Sequence, residues 1–121
     1  MKGFVALGSL MAFLGVVIGA FGAHSLKNIV TGKWADIYET GVHYHLIHAL
    51  ALILVGILAD KFPGTFMQAA GWLLFAGIVL FSGSLYVMSI TKISVLGAIT
   101  PIGGVAFLAG WVFVLVAVLR G

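Results

Sequence analysis

GFVALGSLMAFLGVVIGAFGA (Gly3–Ala23) is a run of 21 residues without a charge, bounded by Lys2 and by the His24 to Lys27 region. A helix needs roughly 20 apolar residues to cross the hydrocarbon core of a bilayer, so this run suffices for one membrane span. A cleaved signal peptide is the rival reading, because Ala20-Phe21-Gly22 has the small-x-small pattern of a cleavage site. The run exceeds the roughly 7 to 15 residues of a signal-peptide core and is read as a span. Along it Gly8, Ala12, Gly15, Gly19 and Ala23 recur at three- or four-residue steps. In lipid such a stripe lets another backbone approach closely.

Composition agrees with a membrane protein throughout. Of 121 residues, 63% are hydrophobic and 7% charged, with a mean hydropathy of +1.27, whereas soluble domains carry about 25% charge. The net charge of +3 comes from Lys2, Lys27, Lys33, Lys61, Lys92 and Arg120, scattered singly. No basic run tracks a phosphate backbone, which sets nucleic-acid binding aside. Without cysteine there is no thiolate nucleophile or thiolate metal site.

Ser25 to Thr40 is the one long polar connection. Within it Trp34, Ile37, Tyr38 and Gly41 share a helical face, which predicts a short interfacial helix leading into span two. Span two is expected over about 40–59, closed by Asp60-Lys61 and the Pro63-Gly64 turn. Spans three and four follow over about 67–90 and 95–119. The expected fold is all-α, an integral membrane four-helix bundle forming a single transmembrane domain over 1–121. Both termini then lie on one side, and the positive-inside count ties at three against three. The amino-terminal charge inclines the expectation towards cytoplasmic termini.

At 1.5 Å of rise per residue, His43, His45 and His48 lie roughly 5 to 12 Å below the surface of the first connection. Ser82 and Ser84 on span three lie roughly 9 to 12 Å below it, and Thr100-Pro101-Ile102-Gly103-Gly104 on span four roughly 8 to 14 Å below it. Tyr86 lies shallower and His24 sits at the lip. All four helices thus bring polar or helix-breaking residues into one half of the bilayer, which predicts either one shared polar pocket or a set of hydrogen-bonded packing contacts. Pro101, within a span, removes a backbone hydrogen bond and frees a carbonyl about four residues earlier.

Two helical steps turn about 200°, so His43 and His45 project apart and the three histidines cannot ligate one metal from one helix. No HExxH or similar metal signature is present. Axial haem ligation by His24 and His48 has no other cofactor signal beside it. The only carboxylates, Asp36, Glu39 and Asp60, complete neither a paired-carboxylate site nor a Ser-His-Asp set. No enzymatic activity, cofactor or metal is expected. An intramembrane histidine is a functional candidate by default, and His48 is the deepest.

Several strings then stand together: Gly19-Ala20-Phe21-Gly22-Ala23-His24, Tyr38-Glu39-Thr40-Gly41 with Tyr44 and His48-Ala49-Leu50, Phe81-Ser82-Gly83-Ser84-Leu85-Tyr86, and Thr100-Pro101-Ile102-Gly103-Gly104 followed by Gly110-Trp111. Nearly the whole chain, in order, resembles the YgdD/YwdK-like family of small four-span bacterial inner-membrane proteins, a family of unknown function. The resemblance implies architecture and location, with no activity to carry over. His24, Glu39, Tyr44, His48, Ser82, Ser84, Tyr86, Thr100 and Pro101 match the family pattern and are the pocket candidates. His43 and His45 depart from it, since relatives commonly carry Arg and Gln there.

The expected function is binding or transport of a small molecule or ion through a polar pocket in one half of the bilayer. The alternative is a non-transporting structural or accessory membrane protein whose polar motifs lock helix packing. The expected location is the bacterial cytoplasmic membrane, with the lipid bilayer as partner. Transport would favour a homo-oligomer packed through the span-one glycine stripe.

Overall fold

A computed structural model describes residues 2–121. Four long helices follow in order: α1 (Lys2–His24), α2 (Lys33–Lys61), α3 (Thr65–Thr91) and α4 (Thr100–Arg120). A 3-10 turn, Ser94–Ala98, leads into α4. All four are long and apolar enough to cross a membrane. Large apolar side chains such as Phe13 and Val16 on α1 and Val105 and Leu108 on α4 are exposed, as a lipid-facing surface requires.

Aromatic contacts fix which ends meet. Phe4 lies edge-on to Trp72, Phe66 to Phe113, and Arg120 stands over the Phe66 ring. The start of α1, the start of α3 and the end of α4 therefore share one end of the bundle. The main apolar core, including Phe4, Leu52, Val55, Met67, Leu74 and Phe107, runs from that end to the middle.

No separate interfacial helix lies between the first two spans, which corrects the expectation from the Trp34 to Tyr38 pattern. Residues 33–39 are the first turns of α2, which runs unbroken for 29 residues, or about 43 Å. A change of direction would need a break near Gly41, and none forms there. Gly41 packs so closely on the Tyr86 ring that an added Cβ would lie 2.9 Å from it. Thr40 Oγ1 donates to the Asp36 carbonyl at 2.9 Å within the helix. Tyr38 ties the segment upright, donating its hydroxyl to the Ile18 carbonyl of α1 at 2.6 Å. The connection between α1 and α2 folds back over this contact, burying Leu26 and Val30 against Tyr38.

The glycine stripe of α1 has its partner inside the chain. An added Cβ at Gly8 would lie 2.7 Å from the Ala49 carbonyl oxygen, at Gly15 2.6 Å from Leu46, and at Gly19 3.2 Å from Val42. Gly8 and Gly15 are buried, so this part of the stripe seats α2 rather than a second copy, which corrects its expected role as an oligomer surface there.

α3 is continuous but not uniformly α-helical. Ile78–Ser82 is a π-helical turn, in which the Gly83 N–H reaches the Ile78 carbonyl five residues back. It lies where α4 comes closest: an added Cβ at Gly103 would be 2.3 Å from the Phe81 backbone nitrogen. Pro101 causes no break within a helix. It stands in the first turn of α4, where a backbone N–H has no intrahelical acceptor and a proline costs no hydrogen bond.

Candidate functional site

The buried face of α2 is the axis of the polar region. Tyr38, Gly41, His45, His48, Leu52 and Val55 are all buried, and their spacing of three, four, three, four and three residues draws one stripe down the helix. Each polar member of the stripe meets a different neighbour. His45 Nε2 donates to the Met11 carbonyl of α1 at 2.7 Å, which leaves Nδ1 to accept from the Tyr86 hydroxyl of α3 at 2.8 Å. His48 has the opposite arrangement. Its Nδ1 donates to the Tyr44 carbonyl at 2.7 Å, and its Nε2 accepts from the Trp111 indole N–H of α4 at 3.0 Å. The indole can only donate, so His48 Nε2 carries no proton and the ring is neutral. The Phe107 ring stacks on it with centroids 3.6 Å apart.

The hydroxyls close the remaining seams. Ser82 donates to the Gly41 carbonyl of α2 at 2.8 Å. Ser84 donates to the Phe81 carbonyl at 2.9 Å. With that proton committed, Thr100 is the donor in the 2.7 Å contact between the Ser84 and Thr100 hydroxyls, which links α3 to α4. Among the described residues every buried side-chain nitrogen or oxygen has a hydrogen-bond partner.

The nine candidate residues fall into separate groups. Tyr44 and His48 stack in parallel on α2, with the Tyr44 ring also 4.6 Å from Phe81. Ser82 and Tyr86 face α2, and Ser84 and Thr100 join α3 to α4. Pro101 is exposed beside Thr100, and His24 is exposed at the end of α1. Glu39 is exposed at the other side of α2, where it lines a cavity.

This cavity, of about 680 Å³, follows the seam between α1 and α2 beneath their connection. Lys27, Thr31, Glu39 and His43 give it a polar end, and Gly19, Val42 and Leu46 an apolar one. His43 and Glu39 are one turn apart and exposed, so the residue that helical geometry separates from His45 belongs to the cavity rather than to the buried network.

Sequence reasoning passed over His45, Trp111 and Lys27. The stripe from Tyr38 to Val55 was the signal for His45, since a residue at a core position of a buried helix needs partners whatever relatives carry there. Trp111 stands in the sequence only as the end of the Gly110-Trp111 string, with nothing to mark it as a partner of His48.

These features define a small polytopic membrane protein whose helices are cross-linked by buried polar side chains. Residues 18–104 match the family described as protein of unknown function DUF423. The chain is 54% identical over 121 residues to the UPF0382 membrane protein YwdK of Bacillus subtilis, covering 99% of this chain and 98% of that protein. It is 45% identical over 120 residues to a UPF0382 membrane protein of Staphylococcus epidermidis, covering 99% and 98%. No solved structure matches the chain. The chain belongs to the DUF423, or UPF0382, family of bacterial multi-pass membrane proteins.

Proposed function

We propose that this protein binds a small molecule at the end of the bundle nearest the first connection, and that one copy does not conduct. The observation that carries the proposal is the cavity of about 680 Å³ with charged residues of both signs at one end and an apolar wall at the other. Pockets of roughly 300–1,000 Å³ suit small ligands. Conduction through one copy is disfavoured because the polar side chains of the interior are already hydrogen-bonded to one another and to the backbone. The terminal side is read as cytoplasmic, and single cysteines added to this cysteine-free chain at Gly121 and Asn28 would test it by labelling from either side of the membrane.

Native mass spectrometry of the purified chain tests binding. One small molecule retained per chain, and lost in Ala23→Phe with helix content unchanged, is the expected result. Ala23 lines the cavity and is exposed, so the substitution fills the space without disturbing the core. Identical spectra for the two proteins, without a retained molecule, would overturn the proposal. The second reading, an accessory protein held together by polar locks, is favoured by the fully satisfied network, and it predicts large stability losses at His48 with no effect of filling the cavity.

A further inference from the structure

Lys27 and Glu39 carry opposite charges and line the same cavity, one on the connection after α1 and the other on α2. Both are exposed, and among the described residues neither is joined to an ion-pair partner. From Glu39 the cavity continues along α2 to Leu46, a length of about 10 Å. Below Glu39 the lining is Gly19, Val42 and Leu46, with His43 the one polar side chain among them.

We infer, resting on the binding function above, that the occupant is a phospholipid with a zwitterionic phosphoethanolamine head, its phosphate at Lys27, its ammonium at Glu39 and an acyl chain along Gly19 and Leu46. The charge pattern selects this head. A purely anionic head satisfies Lys27 but meets the Glu39 carboxylate, and like charges brought together at a site are a strong source of discrimination. A neutral polar head leaves both charges without a counter-charge. A primary ammonium also gives Glu39 a charge-assisted hydrogen bond, which a quaternary ammonium cannot. The mainly apolar lining below Glu39 selects a lipid over a water-soluble zwitterion, since a free head group leaves that surface uncovered. The surrounding bilayer supplies the lipid directly to a seam between two spanning helices.

The test is native mass spectrometry of the full chain with equimolar dioleoyl phosphatidylethanolamine and dioleoyl phosphatidylglycerol, and separately with free O-phosphorylethanolamine. The wild-type chain is expected to retain the ethanolamine lipid at least five-fold over the glycerol lipid and to show no retained free head group. Glu39→Gln should bring the two lipids to within two-fold of each other, and Lys27→Gln should lower retention of both at least five-fold. Asp36→Asn, an acidic position on the same helix outside the cavity lining, should change neither. Both altered residues in the cavity are exposed, so circular dichroism should report unchanged helix content. Equal retention of the two lipids, or a preference for the glycerol lipid, overturns the assigned head group. If that retention is still lost in Ala23→Phe, the binding function survives. Retention of the free head group overturns the lipid assignment. Retention of none of the three, with no effect of Ala23→Phe, removes the binding function as well.

Discussion

Trp111 donates its indole N–H to Nε2 of His48 at 3.0 Å, joining α4 to the middle of α2 beneath the stacked Phe107 ring. The contact determines both the charge and the tautomer of His48. Trp111→Phe removes the donor and leaves a buried acceptor, and is expected to cost about 1 kcal/mol, the usual size of an interhelical hydrogen bond in a membrane. His48→Ala also removes the ring packed on Phe107 and should cost about 2–4 kcal/mol. Reversible unfolding in mixed micelles measures both, and an unchanged midpoint for His48→Ala would rule out the locking role.

The two buried histidines hold opposite tautomers, because His45 gives its Nε2 proton to a carbonyl and His48 its Nδ1 proton. Solid-state nitrogen NMR of histidine-labelled protein in lipid should resolve one Nε2–H and one Nδ1–H imidazole at these positions, assigned through His45→Gln and His48→Ala. Tyr86→Phe should shift the His45 Nδ1 resonance, leave His48 unmoved, and cost about 1–2 kcal/mol through the acceptor left buried. His45→Gln, which retains one donor and one acceptor, should cost less than His45→Leu.

The length of the apolar runs announced four helices, because burying about 20 apolar residues in hydrocarbon is a property of each segment alone. Depth along each helix also placed the polar residues in one half of the bundle, since rise per residue is local. What the sequence left open depends on contacts between segments. Gly8 and Gly15 announced close packing without saying that Ala49 and Leu46 would fill it. Pro101 reads as a kink or as a helix start according to where the preceding 3-10 turn ends. The π turn at Ile78–Ser82 lies where Gly103 of α4 approaches Phe81, a contact between segments that neither segment shows alone. His45 was legible in the α2 stripe but outweighed by a comparison with relatives, which addresses shared function and not packing.

Glycine positions separate close approach from free surface. At Gly8 an added Cβ would meet the Ala49 carbonyl oxygen at 2.7 Å and the Ile53 backbone nitrogen at 2.8 Å, atoms that move only if α1 and α2 part. At Gly83 nothing lies within 4 Å. Gly8→Ala is therefore expected to destabilise by about 1–3 kcal/mol through overpacking, while Gly83→Ala should be neutral or stabilise by up to about 1 kcal/mol through helix propensity. Thermal unfolding in one detergent provides the comparison, and equal effects at the two sites would show that the α1–α2 seam is loose.

The π turn gives a different response to deletion than to substitution. A single π turn accommodates one residue more than an α-helix would over the same stretch, so removing one residue there restores α-helical bonding and keeps the following face in register. Val79 is exposed within the turn. Deleting it should leave Ser82 facing Gly41 and Tyr86 facing His45, with a moderate loss of stability from the adjusted contact with Gly103. Deleting Val87, exposed in the regular helix beyond, has no π turn to absorb it. It rotates the rest of α3 by about 100° and turns Met88 and Ser89, both buried, out of the bundle. The Val79 deletion should be recovered folded in the membrane and retain its His45 tautomer signal, whereas the Val87 deletion should lose most of its stability. The reverse order would mean that the π turn does not set the register of α3.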